Sequence, residues 1–346
     1  MDDLTTTIHT YLTTAPTSNF LQRPVEMGAH WEGSNNLLWR VECAGQSAVV
    51  KLYLDAGQAR GRRQFDGQQL FSPLGLAPRP LWFDRHPTGL SRQVLIYEWL
   101  PGESVQTTNM AQMQALAQPM AQIHGGDASA VRRFCPNPLN LAYWWRVLEG
   151  GLGALSAWLL THQATALHTQ FTALAKQAQT LVEAALPLWQ GVPPTPVHGD
   201  LKLENVIDTF GTAVLLDWEM FGLGDPAYEI ATFLQTSQHQ WAADEQADWL
   251  ETYLANVDQP ALAQQIALYQ RLLPFESVCY LLHGLRQHAA ADLPLLRESQ
   301  PFLASTLSRA LQQSAAALYI ELAPIDQPID ELFRTVLHQP TDPRTT

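Results

Sequence analysis

The stretch Val197-His198-Gly199-Asp200-Leu201-Lys202-Leu203-Glu204-Asn205-Val206, followed by Leu215-Leu216-Asp217-Trp218-Glu219, decides how this chain is read. Thr195-Pro196-Val197 is a short apolar approach, and Asn205-Val206-Ile207 begins a new β-type run. Asp200 to Glu204 therefore form a loop between two short strands. Asp208-Thr209-Phe210-Gly211 reads as a turn, with Ala213-Val214-Leu215-Leu216 as the returning strand. That hairpin would carry Asp217 back beside Asn205, although the two lie far apart along the chain.

A lone H-x-D is usually a capped turn. The ordered set Asp200, Asn205 and Asp217 is more specific, because phosphoryl transfer from a nucleotide needs those groups. A carboxylate must position and deprotonate the acceptor hydroxyl, and hard oxygen ligands must hold magnesium on the phosphates. Asp200 suits the first task; Asn205 and Asp217 suit the second. Lys51 lies within the apolar run Val49-Val50-Lys51-Leu52-Tyr53, where an ammonium group without a partner would be costly. It is the candidate for binding the α- and β-phosphates.

With these residues in hand, the chain resembles the aminoglycoside phosphotransferase and choline kinase superfamily. His198-Gly199-Asp200, Asn205, Asp217-Trp218-Glu219 and Gly224-Asp225-Pro226-Ala227-Tyr228-Glu229-Ile230-Ala231 carry the resemblance; elsewhere the match is one of layout. It implies an α+β fold of the protein-kinase-like two-lobed kind, with a β-rich N-lobe and a mainly helical C-lobe. It also implies ATP as donor, Mg2+, and a small-molecule hydroxyl acceptor such as an aminoglycoside-like antibiotic, an amino alcohol or a sugar. Lys202 is similar to the protein-kinase lysine that neutralises the γ-phosphate. Gly33, Ser34 and Asn36 match a loop that covers the phosphates, where small residues let backbone N–H groups approach. Glu98 and Leu100 resemble the inter-lobe segment whose main chain meets the adenine edge.

One departure stands out. The family's R-E-x-x-A-L pattern reads Arg63-Gln64-Phe65-Asp66-Gly67-Gln68, so Gln64 occupies the place of the lysine-orienting glutamate. A glutamine can accept a hydrogen bond from lysine but brings no charge. On this reading Gln64→Glu should keep or improve nucleotide affinity. The same departure motivates the alternative of a nucleotide-binding pseudokinase acting as a binding module. A protein kinase is disfavoured, because D-W-E replaces D-F-G and no A-P-E element follows.

Composition bounds the rest. A formal net charge of -13 over 346 residues argues against a nucleic-acid partner and is compatible with a cationic acceptor. Cys43, Cys135 and Cys279 form no metal or disulfide pattern, which suits a reducing compartment. The start lacks signal-peptide features and no run is long enough to span a membrane, so a cytoplasmic protein without membrane contact is expected. Strands are expected over Leu37–Val41, Ala48–Tyr53 and Gln93–Trp99. Helices are expected over Arg60–Phe71, Met113–His124, Leu139–Trp158 (broken near Gly150-Gly151) and Ala164–Leu186, then from Pro226 to about Tyr319. The expected division is an N-lobe over 1–100, a C-lobe over 101–325 and a loosely ordered tail over 326–346. Glu229 reads as a structural hydrogen-bonding group behind the loop. Aromatic residues such as Trp144 and Phe275 read as core, and His124 as an ordinary helix residue.

Overall fold

Gln46 to Tyr53 alternates little and is rich in β-branched and apolar residues, the pattern of a strand buried on both faces. In the computed structural model, which describes residues 3–33, 35–55, 59–105, 109–237, 241–291 and 293–337, it is the central strand of an antiparallel sheet. The strands are β1 (Val25–Glu32), β2 (Asn36–Cys43), β3 (Gln46–Tyr53), β4 (Pro80–Asp84) and β5 (Val94–Glu98), in the order β1-β2-β3-β5-β4. Val50 pairs with Trp39 on one side and with Ile96 on the other. The turn at Ala44-Gly45 takes positive φ at both residues, the twist a tight hairpin favours.

Helix α1 (Asp3–Thr14) was not expected from the sequence. It buries Ile8, Tyr11 and Leu12 in one cluster with Phe20, Trp39, Val41, Val50, Trp82, Val94 and Ile96. Trp39 donates its indole N–H to Thr5 Oγ1 at 3.1 Å, and Tyr11 donates its hydroxyl to Asp84 at 3.0 Å. Helix α2 (Arg60–Phe71) matches its expected bounds and faces the other side of β3.

The first compact unit comprises Met1–Leu139, Pro193–Glu229 and Thr236–Gln259. Besides the sheet it holds β6 (Glu103–Ser104), α3 (Met110–His124), β7 (Thr195–Val197), β8 (Val206–Thr209), β9 (Thr212–Leu215), β10 (Gly222–Gly224) and α7 (Ala243–Leu254). Strands β6, β8 and β9 make one small antiparallel sheet, and β7 and β10 another. Trp249 on α7 donates its indole N–H to the Met113 carbonyl on α3 at 2.9 Å.

The second unit comprises Asn140–Val192, Ile230–Gln235 and Pro260–Thr346. It is helical: α4 (Leu141–Thr161), α5 (Thr165–Ala185), α8 (Leu262–Ala291), α9 (Leu293–Leu318) and α10 (Asp326–Leu337), with the middle of α6 (Pro226–Ser237). Helices α8 and α9 pack together, and α4 packs on α5 and α8. Trp144 is buried and gives its indole N–H to Glu276 at 2.7 Å, while Phe275 is fully buried, so both are core as expected.

The structure departs from expectation at two helices. Helix α4 runs unbroken through Gly150-Gly151, because glycine weakens a helix without ending it when its flanks are long. Residues 326–337 are a helix and not a loose tail. Ile329, Leu332, Phe333, Val336 and Leu337 recur at helical spacing and are all buried. The expected division at residue 100 separates strand-rich from helix-rich sequence, whereas the compact units run across it. Among the described residues no helix is long and apolar enough to cross a membrane.

Candidate active site

The hairpin expected after Asn205 forms in register. Val206 pairs with Leu215 and Thr209 with Thr212, around a turn in which Phe210 and Gly211 both have positive φ. Beyond the last pair, the Leu216 N–H donates to the Asn205 carbonyl at 2.7 Å. This bond is what draws Asn205 and the Asp217 segment together. Asp217 itself has a left-handed backbone (φ 54°, ψ 56°), a conformation that Asp tolerates better than most residues. It begins a single tight turn, Trp218–Met220.

The Asp200 loop is held from both sides. Asp200 Oδ2 accepts from Lys202 Nζ at 2.9 Å and from Asn205 Nδ2 at 3.0 Å, and Asn205 Nδ2 also reaches the Asp200 carbonyl at 2.9 Å. These donors all use Oδ2; Asp200 Oδ1 and Asn205 Oδ1 make no hydrogen bond among the described residues. Partial burial works against the charge of Lys202, but the bond to Asp200 and the charges of Asp200, Asp217 and Glu204 outweigh it. Its pKa lies above the ordinary lysine value.

Behind the loop lies a buried network. Glu229, at the first turn of α6, accepts from the Gly199 N–H at 2.5 Å and from the His198 N–H at 3.2 Å. Its Oε2 is 2.8 Å from His124 Nε2, and His124 Nδ1 is 2.6 Å from the Tyr253 hydroxyl. Burial raises the cost of the Glu229 charge, yet the hydrogen bond and charge of His124, the charge of His198 and the Gly199 N–H hold its pKa below the ordinary value. The structural role read for Glu229 is what the structure shows. His124 is no ordinary helix residue: it joins α3 to α7 and to the loop. Gly199 has φ +87°, and a Cβ there would lie 2.6 Å from the Met220 carbonyl oxygen. The loop therefore needs glycine at that position for both conformation and space.

Lys51 is 2% exposed, and its ammonium faces three acceptor groups. Its ammonium donates to Asp217 Oδ1 at 2.5 Å and to Gln64 Oε1 at 2.9 Å, and lies 3.5 Å from Glu219 Oε2. Gln64 Oε1 also accepts from the Tyr53 hydroxyl at 2.7 Å. Gln64 thus stands where the sequence placed it. Asp66 does not replace it, being paired with Arg62 and Arg133. The charged partner that helix α2 lacks is supplied instead by Glu219, whose other oxygen takes Arg60 at 2.6 Å. Sequence reasoning gave Glu219 no such role; the D-x-E spacing was the available signal, since one tight turn folds position 219 back toward Lys51. Gly67 lets this happen: a Cβ there would meet the Trp218 ring at 2.8 Å and the Phe221 ring at 3.0 Å.

The remaining expected residues lie as follows. The Gly33 N–H donates to the Asn36 carbonyl at 2.9 Å. Ser34 lies outside the described residues. Glu98 ends β5; its N–H is taken by the Arg79 carbonyl and its carboxylate by Arg79, so its amide is not open to a ligand. Leu100 follows in irregular chain, and its amide makes no backbone hydrogen bond among the described residues. Among the described residues no three His, Cys, Asp or Glu side chains gather as a metal centre. An oxygen pair such as Asn205 and Asp217 still fits magnesium, which keeps several waters and takes further oxygens from substrate phosphates.

A family model described as the phosphotransferase enzyme family (APH) matches residues 27–275. Among solved structures, a choline/ethanolamine kinase family protein from Mesorhizobium loti is similar with a TM-score of 0.58 at 16% identity, covering 97% of this chain and 100% of that one. A thermostable mutant of the aminoglycoside phosphotransferase APH(4)-Ia, in complex with AMP-PNP and hygromycin B, gives 0.55 at 18% identity, covering 91% and 98%. Macrolide 2'-phosphotransferase MphH from Brachybacterium faecium gives 0.50 at 17% identity, covering 87% and 93%. A search of curated proteins returns no match. At these identities the structural likeness speaks for the fold, an antiparallel sheet region and a helical region of the kinase-like kind. The match over residues 27–275 decides the family: the chain belongs to the phosphotransferase enzymes of the APH family, small-molecule kinases with a hydroxyl acceptor.

Proposed function

We propose that this enzyme moves the γ-phosphoryl group of ATP, with Mg2+, to a hydroxyl of a small molecule. The observation that carries the reading is the asymmetry at Asp200. Lys202 and Asn205 fix Oδ2, and Oδ1 is left to accept the proton of an incoming hydroxyl. A base must lie within hydrogen-bond reach of that proton, and an anchored carboxylate with one open oxygen meets this need. Transfer then joins the acceptor oxygen to phosphorus, breaks the bond to the β-phosphate oxygen, and leaves the proton on Asp200.

The other residues are assigned to binding and charge. Lys51 holds the α- and β-phosphates, oriented by Gln64 and Glu219. Lys202 neutralises the γ-phosphate while positioning Asp200. Asn205 Oδ1 and Asp217 hold magnesium, which would offset phosphate charge as transfer proceeds. Gly33 and Asn36 cover the phosphates, and the Leu100 main chain meets the adenine edge. The division into a nucleotide lobe over 1–100 and an acceptor lobe over 101–325 belongs to this reading. Aminoglycoside-like, amino-alcohol and sugar acceptors are all consistent with it, and the protein's acidity is compatible with a cationic one. The test is nucleoside diphosphate release on a panel of such hydroxylated compounds, with and without magnesium. A folded protein that binds ATP but turns over none of them would favour the binding-module alternative.

A further inference from the structure

Arg62, Arg63, Asp66, Gln69 and Leu70 on α2 form one wall of a groove of about 240 Å3. Ala130 to Arg133 and Phe221 form the rest. Four of its ten lining residues are arginines and only one is acidic, an excess of three positive charges. The chain as a whole has 33 Asp and Glu against 20 Lys and Arg, so this excess runs against its composition. We infer that the groove is a binding site for a small, multiply charged phosphate-bearing anion, separate from the Asp200 site.

The arginines are arranged for such a ligand. Asp66 is shared, accepting from Arg62 Nε at 2.8 Å and from Arg133 Nη1 at 2.7 Å. Arg63 pairs with no carboxylate among the described residues; its Nη1 donates to the Phe134 carbonyl at 2.6 Å and the Phe221 carbonyl at 3.0 Å. These bonds fix the guanidinium by main-chain contacts that leave its charge uncompensated. Arg132 is exposed and makes no hydrogen bond or ion pair among the described residues. Burial holds the Arg63 pKa below the ordinary arginine value, and the charge of Arg133 acts in the same direction. A guanidinium presents a planar fork that matches phosphate oxygens two at a time, so several converging on a small groove select phosphate over a single carboxylate. A cluster serving only to join α2 to the 130–133 segment would need no more than the Asp66 pairs.

The test is titration calorimetry of the full-length protein with inorganic pyrophosphate, without magnesium or nucleotide, on three proteins. Wild type should bind saturably. Arg132→Ala removes an exposed, unpaired side chain, so the fold should stand, and binding should weaken by about tenfold. Asp66→Asn removes the competing carboxylate at the cost only of partly exposed ion pairs, and binding should tighten by about threefold or more. Opposite responses to the two variants would place the anion in this groove and not at Lys51 or Lys202. Lack of saturable binding at millimolar pyrophosphate, or binding that ignores both variants, would overturn the inference. Circular dichroism and a thermal melt on each protein guard against misfolding as the cause.

Discussion

Lys51 Nζ lies 2.5 Å from Asp217 Oδ1, so the proposed phosphate-binding cation and the proposed metal-binding carboxylate are direct neighbours. They come from residues 166 positions apart, one on the central strand and one just beyond a short hairpin. Gln64 and Glu219 close the arrangement around the same ammonium group. Opposite charges at this spacing hold each other in place, and they put the two sites that a metal–nucleotide complex would bridge within one span.

Asp217→Asn should lose magnesium-dependent turnover by a factor on the order of 10² or more, because a hard anionic ligand becomes a neutral amide. Asn is the right replacement, since it tolerates the left-handed backbone at φ 54° that Ala would strain. Diphosphate release measured across magnesium concentrations checks this. Activity near the wild-type level in the folded variant would remove Asp217 from the metal site.

Asp200→Asn keeps size and polarity but cannot take the proton. Nucleotide affinity should stay within a few-fold, while turnover falls by a factor on the order of 10² or more. Both quantities must be measured on the same variant. Turnover within a few-fold of wild type, with an identified acceptor, would mean Asp200 is not the base.

Gln64→Glu was expected, from sequence, to keep or improve nucleotide affinity by giving Lys51 a charged partner. The structure reverses that expectation. Asp217 and Glu219 already lie at 2.5 and 3.5 Å from the ammonium, and Gln64 is 1% exposed, so a third carboxylate would be buried among like charges. Gln64→Glu should weaken nucleotide binding by about tenfold, and Glu219→Gln should do the same. Combining Gln64→Glu with Glu219→Gln moves the charge from the turn to the helix and should recover most of the loss. Strictly additive losses in this double-mutant cycle would show that the two positions do not share Lys51.

Glu229 supplies a pH dependence whose sign can be worked out. Its folded pKa is depressed below 4.5, so its charge contributes stability in full above that value, and the contribution is lost as pH falls below 4.5 toward the folded value. Urea unfolding midpoints followed from about pH 6 down to about pH 3 should decline in wild type and decline less steeply in Glu229→Gln. Equal slopes in the two proteins would contradict the assignment.

Much of the fold was legible because its signals are local. The hairpin after Asn205, helix α2 and strand β3 lie where turn residues and periodicity put them. Helix α1 was hidden because Asp3–Thr14 is rich in threonine, a poor helix former. Its Thr7, Thr10 and Thr14 hydroxyls turn back to carbonyls four residues earlier, and its apolar face matters only once the sheet is there to cover it. Helix α10 was hidden by the prolines around its start, although its apolar positions repeat at helical spacing. At the site, the signals that single out Asp200 and Asn205 (their spacing) and Lys51 (a charge within an apolar run) are local ones. Glu219 and His124 could not be given their roles, since each depends on a partner brought close only by tertiary packing: Lys51 for the first, Glu229 and Tyr253 for the second.

The mooring of the loop at Glu229 has a consequence for how this enzyme could change over time. Glu229, His124 and Tyr253 are all buried, and they hold the backbone of His198 and Gly199 from behind. Substitutions on solvent-facing positions leave those bonds untouched. New acceptors can therefore be explored, by natural drift or in a mutant library, without disturbing the backbone that carries the Asp200 loop. The three anchoring residues should be the ones such a library leaves alone.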